Sequence, residues 1–210
     1  MANTTHNNVN ITNTDNKFRQ DFAIIAGWVG FSSKVLDLGC GDGALLQFLR
    51  GSLEIKGYGV EKDDANWLTC MQNGTNVIQM DLEAGLSGFE DQSFDTVILS
   101  QTLQAMHNTE EIVQEMLRVG REVIVTFPNF GYWRNRIQIA SGGHMPVSKD
   151  LPYQWFDTPN VHLCTINDFD KFCNNYKIEV IERKVITEGN EVNFMPNLLG
   201  NLAMYRLKTS

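Results

Sequence analysis

From residue 34 to residue 128 short apolar runs alternate with stretches of helical spacing, and the first three runs stop at a glycine loop or a carboxylate. Lys34 to Gly39, Ile55 to Val60, Val77 to Met80, Phe94 to Ser100 and Glu122 to Phe127 are the runs. Each is too short for a buried helix and too uniformly apolar for a strand with one wet face. Strands of that kind belong in a parallel sheet covered on both sides, with a helix in each crossover. The pattern therefore predicts an α/β fold: a three-layer sandwich around a mostly parallel seven-stranded sheet of Rossmann-like type.

The helices between the runs are read from their apolar spacing and their stops. A leading helix carries Phe22, Ile24, Ile25 and Trp28. A second spans Ala44 to Arg50, with Leu45, Leu46, Phe48 and Leu49 on a broad face and Gly51 placed to end it. A third runs from Asp63 to Asn73 and is closed by Gly74. Asn108 to Glu111 reads as a capping box, which opens a helix facing inward through Ile112, Val113, Met116 and Leu117 and ending at Gly120. Two later strands, Ile178 to Val185 and Leu202 to Leu207, flank a polar connection at 187–193.

Between them the alternation breaks. Pro128, Pro146, Pro152 and Pro159 fall in or beside residues 129–164, together with Phe130, Tyr132, Trp133, Tyr153, Trp155 and Phe156. A segment this long inside a compact domain predicts a lid or binding insertion. Its aromatics could pack over the sheet end, line a substrate pocket or form a protein-binding face. Residues 1–17, polar and aperiodic, are expected to be a disordered tail, leaving 18–210 as a single domain.

Charge and cysteine usage narrow the partners. The 210 residues carry a net charge of −8, which repels polyanions, so neither nucleic acid nor an anionic membrane is an expected partner. No apolar run is long enough to span a bilayer. Cys40, Cys70, Cys164 and Cys173 are widely spaced, without a C-x-x-C pair, and read as free thiols in a reducing cytoplasm.

In an open α/β sheet ligands sit outside the carboxyl ends of the strands. After the first strand stand Asp37, Gly39, Cys40, Gly41, Asp42 and Gly43, a tight turn that lets a ligand approach the backbone at a helix N-terminus. Gly39, Gly41 and Ala44 also satisfy the looser dinucleotide fingerprint, so the glycines alone do not choose between cofactors. A pyrophosphate would lie beside Asp37 and Asp42, whereas S-adenosylmethionine brings a sulfonium and an ammonium. Two carboxylates favour the cationic ligand over a nicotinamide one. Glu61, 24 residues beyond Asp37, is placed to accept the ribose hydroxyls, and Asp81 to accept the adenine amino group with the Leu82 amide beside it.

Val35-Leu-Asp37-Leu-Gly39-Cys-Gly41-Asp-Gly43 resembles the first motif of the class I methyltransferases, and Glu61 and Asp81 match their ribose and adenine positions. Three longer segments are more specific: Ile98 to Gln104, Phe127 to Arg134, and Leu151 to Thr165, the last with Trp155, Pro159, His162 and Cys164. These resemble the family of the methionine biosynthesis protein MetW. The resemblance implies a role in methionine synthesis beside homoserine O-acyltransferase, with S-adenosyl-L-methionine or S-adenosyl-L-homocysteine as the ligand, and the alternative is an active methyltransferase on a small molecule. The candidate cofactor-binding set is Asp37, Gly39, Cys40, Gly41, Gly43, Glu61, Lys62, Asp81, Leu82 and Ser100, with no catalytic residue assigned and no oligomeric state implied. Cys40 reads equally as a small buried spacer. His107 could act as a general base or be an exposed helix-start residue. His162 and Cys164 lack a third ligand, so no metal is expected. An Asn-Pro-Pro-Tyr motif is absent after the fourth strand, which disfavours methylation of DNA bases or protein amides.

Overall fold

A computed structural model describes residues 13–148 and 150–209, with side chains from Gln20 onward. The expected tail of residues 1–17 lies outside the described residues up to residue 12. Residues 13–17 open the first helix, α1 (Asn13–Trp28).

The alternation is realised as β1 (Lys34–Leu38), α2 (Ala44–Leu53), β2 (Lys56–Glu61), α3 (Asp64–Gln72), β3 (Asn76–Gln79), β4 (Phe94–Ser100), α4 (Thr109–Val119) and β5 (Gly120–Pro128). These five strands pair in parallel, in the order β3-β2-β1-β4-β5. Then come α5 (Trp133–Gly142), α6 (Ile166–Asn175), β6 (Ile178–Thr187), β7 (Asn190–Glu191), α7 (Pro196–Leu199) and β8 (Leu202–Thr209). β8 inserts antiparallel between β5 and β6, so the full order is β3-β2-β1-β4-β5-β8-β6-β7. The sheet has eight strands where seven were expected. The extra one, β7, is two residues that close a hairpin on β6 within the polar 187–193 connection.

The pleat divides the apolar strands between two layers. Val35, Ile98 and Ile124 pack under Ile25 and Trp28 of α1, Leu45, Leu46 and Leu49 of α2, and Cys70 of α3. Leu36, Leu38, Val97, Leu99, Val123, Val125 and Phe127 pack on the other face, under Ile112, Val113 and Met116 of α4 and Ile166, Phe169 and Cys173 of α6. Two full apolar faces explain why these strands read as continuous hydrophobic runs rather than alternating ones.

Two expectations at helix ends are corrected. Gly51 does not stop α2, which continues to Leu53 and is capped by Glu54 in the left-handed conformation (φ 53°). Asn108 precedes α4 as expected but makes no side-chain cap, so the capping box is absent there. Thr165 and Asp168 form one instead, opening α6 with reciprocal bonds between side chain and backbone. Gly120 is needed for packing as well as for ending a helix, since a β-carbon there would lie 2.6 Å from Val97 Cγ2. Among the described residues no helix is long and apolar enough to cross a membrane.

Candidate functional site

The carboxyl ends of β1 to β4 converge on the glycine loop after β1. Its backbone is pinned to β2, with the Gly39 and Cys40 amides donating to Val60 O at 2.8 and 3.0 Å. Gly39 (φ +69°) turns the chain where a β-carbon would lie 2.9 Å from the Thr102 side chain, so the loops after β1 and β4 are in contact. Gly41 (φ +54°) differs, because a β-carbon there would meet nothing within 4 Å. Its open side is space that a ligand can enter. Cys40 is buried and faces Gly59, where a β-carbon would lie 2.5 Å from its Sγ, and its Sγ stands 3.9 Å from that of Cys70. Burial pushes the Cys40 thiol far above the ordinary range, with Asp37 adding to the effect, so it is a spacer rather than a nucleophile.

Asp37 is 2% exposed, and its Oδ1 is buried with no hydrogen-bond partner. Burial first, and the Glu61 charge second, push its carboxyl up to about 8. Glu61 ends β2 and gathers three backbone amides: Gly41 N donates to Oε2, while Lys62 N and Asp63 N donate to Oε1, all at 2.8 Å. A carboxylate offers about four acceptor positions, so one remains at Oε2 for a ligand hydroxyl. The sequence reading gave Glu61 a ribose role; the structure adds that the same group fastens the glycine loop.

Lys62 joins the second strand end to the third. Its Nζ bonds Asp81 Oδ2 at 2.6 Å, and Asp81 Oδ1 accepts the Glu83 amide at 3.1 Å, capping the short 3-10 turn of Leu82–Ala84. The Lys62 ammonium holds the Asp81 carboxyl below its ordinary value. Leu82 is buried under the turn. Ser100 turns toward β5, its hydroxyl 3.2 Å from that of Thr126. The neighbouring Gln101 takes a left-handed backbone (φ 52°), with its amide 3.0 Å from Thr126 Oγ1, and its side chain lies 3.5 Å from Asp21 of α1. Asp21, Gln101 and Thr102 thus join the rim of the site. Sequence reasoning gave none of them a site role, although Gln101 and Thr102 fall within the Ile98 to Gln104 segment, and the Gln101 backbone marks a special position.

His107 lies elsewhere. Its amide bonds Glu83 Oε1 at 2.7 Å and its carbonyl lies 3.2 Å from His162 Nε2. Both histidines line an open cleft with Glu110, Glu111 and Phe172, built from α4 and α6 rather than from the glycine loop. Among the described residues no three His, Cys, Asp or Glu side chains are grouped so as to hold a metal ion.

Residues 129–164 divide into a buried root and an exposed end. Asn129 is 1% exposed; its Nδ2 donates to Asn197 O and Gly200 O at 3.1 and 2.8 Å, and its Oδ1 accepts from Gly131 N and Ile166 N. Trp155 and Phe156, by contrast, are 73% and 70% exposed and stack edge to face at 5.7 Å.

The arrangement at the strand ends holds three carboxylates, an open loop and one ammonium already paired, which suits a cationic ligand with hydroxyls better than a pyrophosphate. Comparison with known proteins agrees with the fold. A putative methyltransferase of Haloferax volcanii, solved in complex with its Trm112 activator, is 15% identical, with a TM-score of 0.65 over 94% of this chain and 93% of that one. A Thermotoga maritima protein described as an S-adenosylmethionine-dependent methyltransferase, possibly for histamine, is 16% identical, with a TM-score of 0.67 over 94% and 92%. The [4+2]-cyclase SpnF has the same fold, at 15% identity and a TM-score of 0.64 over 92% and 81%. The fold is therefore not tied to methyl transfer. The bifunctional methionine biosynthesis protein MetXA/MetW of Rhodopirellula baltica is 42% identical over 168 residues, which are 76% of this chain and 27% of that longer protein. The chain spans about a quarter of that relative. A model of the family described as methionine biosynthesis protein MetW matches residues 19–207. With nearly its whole length matched, the chain belongs to the MetW family.

Proposed function

We propose that the chain binds S-adenosyl-L-methionine, or its demethylated product, at the ends of β1 to β3 and acts in methionine synthesis beside a homoserine O-acyltransferase in the cytoplasm. Two observations carry the ligand: a buried Asp37 oxygen without a hydrogen-bond partner and, in the loop that follows it, the open side of Gly41. Glu61 Oε2 takes a ribose hydroxyl with its remaining acceptor position. Asp81 and the Leu82 backbone form the adenine end, with Lys62 holding Asp81 in place. When bound, S-adenosylmethionine would supply an electrophilic methyl group on its sulfonium. A nicotinamide dinucleotide would set its pyrophosphate against the Asp42 and Glu61 carboxylates, which the like charges oppose.

The partner rests on the relative whose name joins MetXA and MetW in one chain, an arrangement that keeps two activities together. The surface that suits it is the end of the 129–164 segment, where Tyr153, Trp155 and Phe156 hold large aromatic area in water, the residue type that anchors protein interfaces. Mixing this chain with the acyltransferase of the same cell at micromolar concentration and reading the elution volume tests the proposal. A joint peak lost on Trp155→Ala or Trp133→Ala is expected, and two separate peaks for the unaltered proteins would refute the pairing.

A further inference from the structure

The rim that carries the glycine loop has a second concavity over its other half. Pro128 of β5, Leu202 of β8 and Ile186 of β6 stand side by side in register, so the chain leaving β5 and the hairpin after β6 rise at the same edge. Between them lies a cleft of about 470 Å³, lined by Tyr132, Trp133 and Phe194 and by the charged side chains of Arg134, Glu188 and Glu191. In the order β1-β4-β5-β8-β6, at roughly 4.8 Å per strand, β5 and β6 lie about 10 and 19 Å from β1. The cleft is a place apart from the glycine loop.

Tyr132 and Trp133 meet near edge to face, with ring centroids 6.0 Å apart and planes at 64°, and so form the two walls of a corner. The face of Trp133 already holds a cation. The Arg134 guanidinium carbon lies 5.4 Å from the ring centroid, and Nη1 lies 3.6 Å from Glu188 Oε1. A ring face on one side and a carboxylate on the other is the setting in which proteins hold organic cations. Arg134 fills it loosely, since both partners of the ion pair are largely exposed and such pairs add little stability. Glu191 lines the same cleft and keeps only a long contact, 3.8 Å, with Lys184. With Arg134 swung away, two carboxylates face the aromatic walls and no cation lines them. Phe194 stands in water next to Met195, whose backbone is left-handed (φ 44°). Strain at a non-glycine residue beside an exposed ring is a feature of ligand sites rather than of packing.

We infer that this cleft binds a small organic cation, a quaternary or protonated amine, which settles in the corner of Tyr132 and Trp133 opposite Glu188 and Glu191 and displaces the Arg134 guanidinium from the ring. The binding is non-covalent and needs neither the adenosyl ligand nor the acyltransferase. Arg134 is a resident competitor for the position, so its removal strengthens the ligand's hold.

Choline, its neutral isostere 3,3-dimethylbutanol and the anion 3,3-dimethylbutyrate share a shape and differ in charge. Each is titrated into the full chain while the indole N–H resonances of the four tryptophans are followed by NMR, Trp133 being assigned from its loss in Trp133→Phe. Choline should shift the Trp133 resonance saturably at millimolar concentration, the alcohol should bind about tenfold more weakly, and the anion should leave the resonance in place. Glu191→Gln should weaken choline about fivefold, whereas Arg134→Gln should tighten it by a similar factor. Equal affinity for choline and the alcohol would overturn the inference, because the cleft would then read shape alone. So would a preference for the anion, which would make Arg134 the group that binds, or weaker choline binding in Arg134→Gln. A Trp133 resonance that none of the three compounds moves would overturn it as well.

Discussion

The rim of the sheet has two halves that are built differently. Over β1 to β3, backbone amides and short side chains within about 25 residues of one another wire the loop: Glu61 to Gly41, Lys62 to Asp81, Asp81 to Glu83. Beyond β5, the chain is fastened from far away, with Asn129 reaching residues 68 and 71 positions later and Asn201 bonding Asp150 at 2.6 Å. The first half is wired locally and is the half proposed to hold the adenosyl ligand. The second is a rooted stem whose aromatic end stands in water. A locally wired rim and a remotely anchored stem thus occupy neighbouring stretches of one edge.

The largest effect should come from the root. Asn129→Ala removes four hydrogen bonds and takes from the buried Gly200 carbonyl and Gly131 amide the partner they have in Asn129, while the Ile166 amide keeps Asn197 Oδ1 and the Asn197 carbonyl keeps Arg136. A loss of about 3–4 kcal/mol is expected, read as a fall of roughly 10 °C in a thermal melt. If the melt moves by only a degree or two, the stem is not anchored as described. Glu61→Ala comes next, because it removes a ligand acceptor and frees the Gly41, Lys62 and Asp63 amides together. S-adenosylhomocysteine affinity should fall about 100-fold or more by calorimetry.

Asp37→Asn should act in opposite directions on stability and binding. The folded carboxyl titrates at about 8, against about 3.9 in an unfolded chain, so the native state holds the extra proton. Its contribution to stability is complete below about pH 4 and disappears as pH rises to about 8. At pH 8 the ligand-free variant should melt several degrees above the parent, and at pH 4.5 the difference should have nearly vanished. A parent that melts higher than the variant at pH 8 would contradict the buried, cation-free environment. The smallest effect sharpens the contrast: Trp155→Ala should leave stability within about 0.5 kcal/mol of the parent while abolishing co-elution with the acyltransferase. A large destabilisation would mean that Trp155 packs rather than docks.

The two halves also differ in how far the sequence exposes them. The strands β1 to β5 were readable because fully buried strands are continuous apolar runs, and Asp37, Glu61 and Asp81 mark their ends in the chain itself. What escaped was whatever depends on distant partners. Glu61's hold on Gly41 spans 20 residues, and nothing local to either announces it. Asn129 resembles an ordinary turn residue after a proline until Asn197 and Gly200 are brought to it. Thr165 and Asp168 satisfy the capping pattern as fully as any pair in the chain, yet they sit at the end of an irregular stretch where no helix start was expected. The helix α5 was hidden for a related reason, since its weakly amphipathic face, with Ile137 and Ile139 exposed, gives periodicity little to detect.

What binds at the rim of β1 to β3 is the deciding question. Titrating the unaltered chain with S-adenosylhomocysteine and, separately, with NAD in a calorimeter asks that directly. One site per chain for the adenosyl amino acid and no measurable heat for the dinucleotide is the predicted result. Saturable NAD binding with none for the adenosyl compound would contradict it.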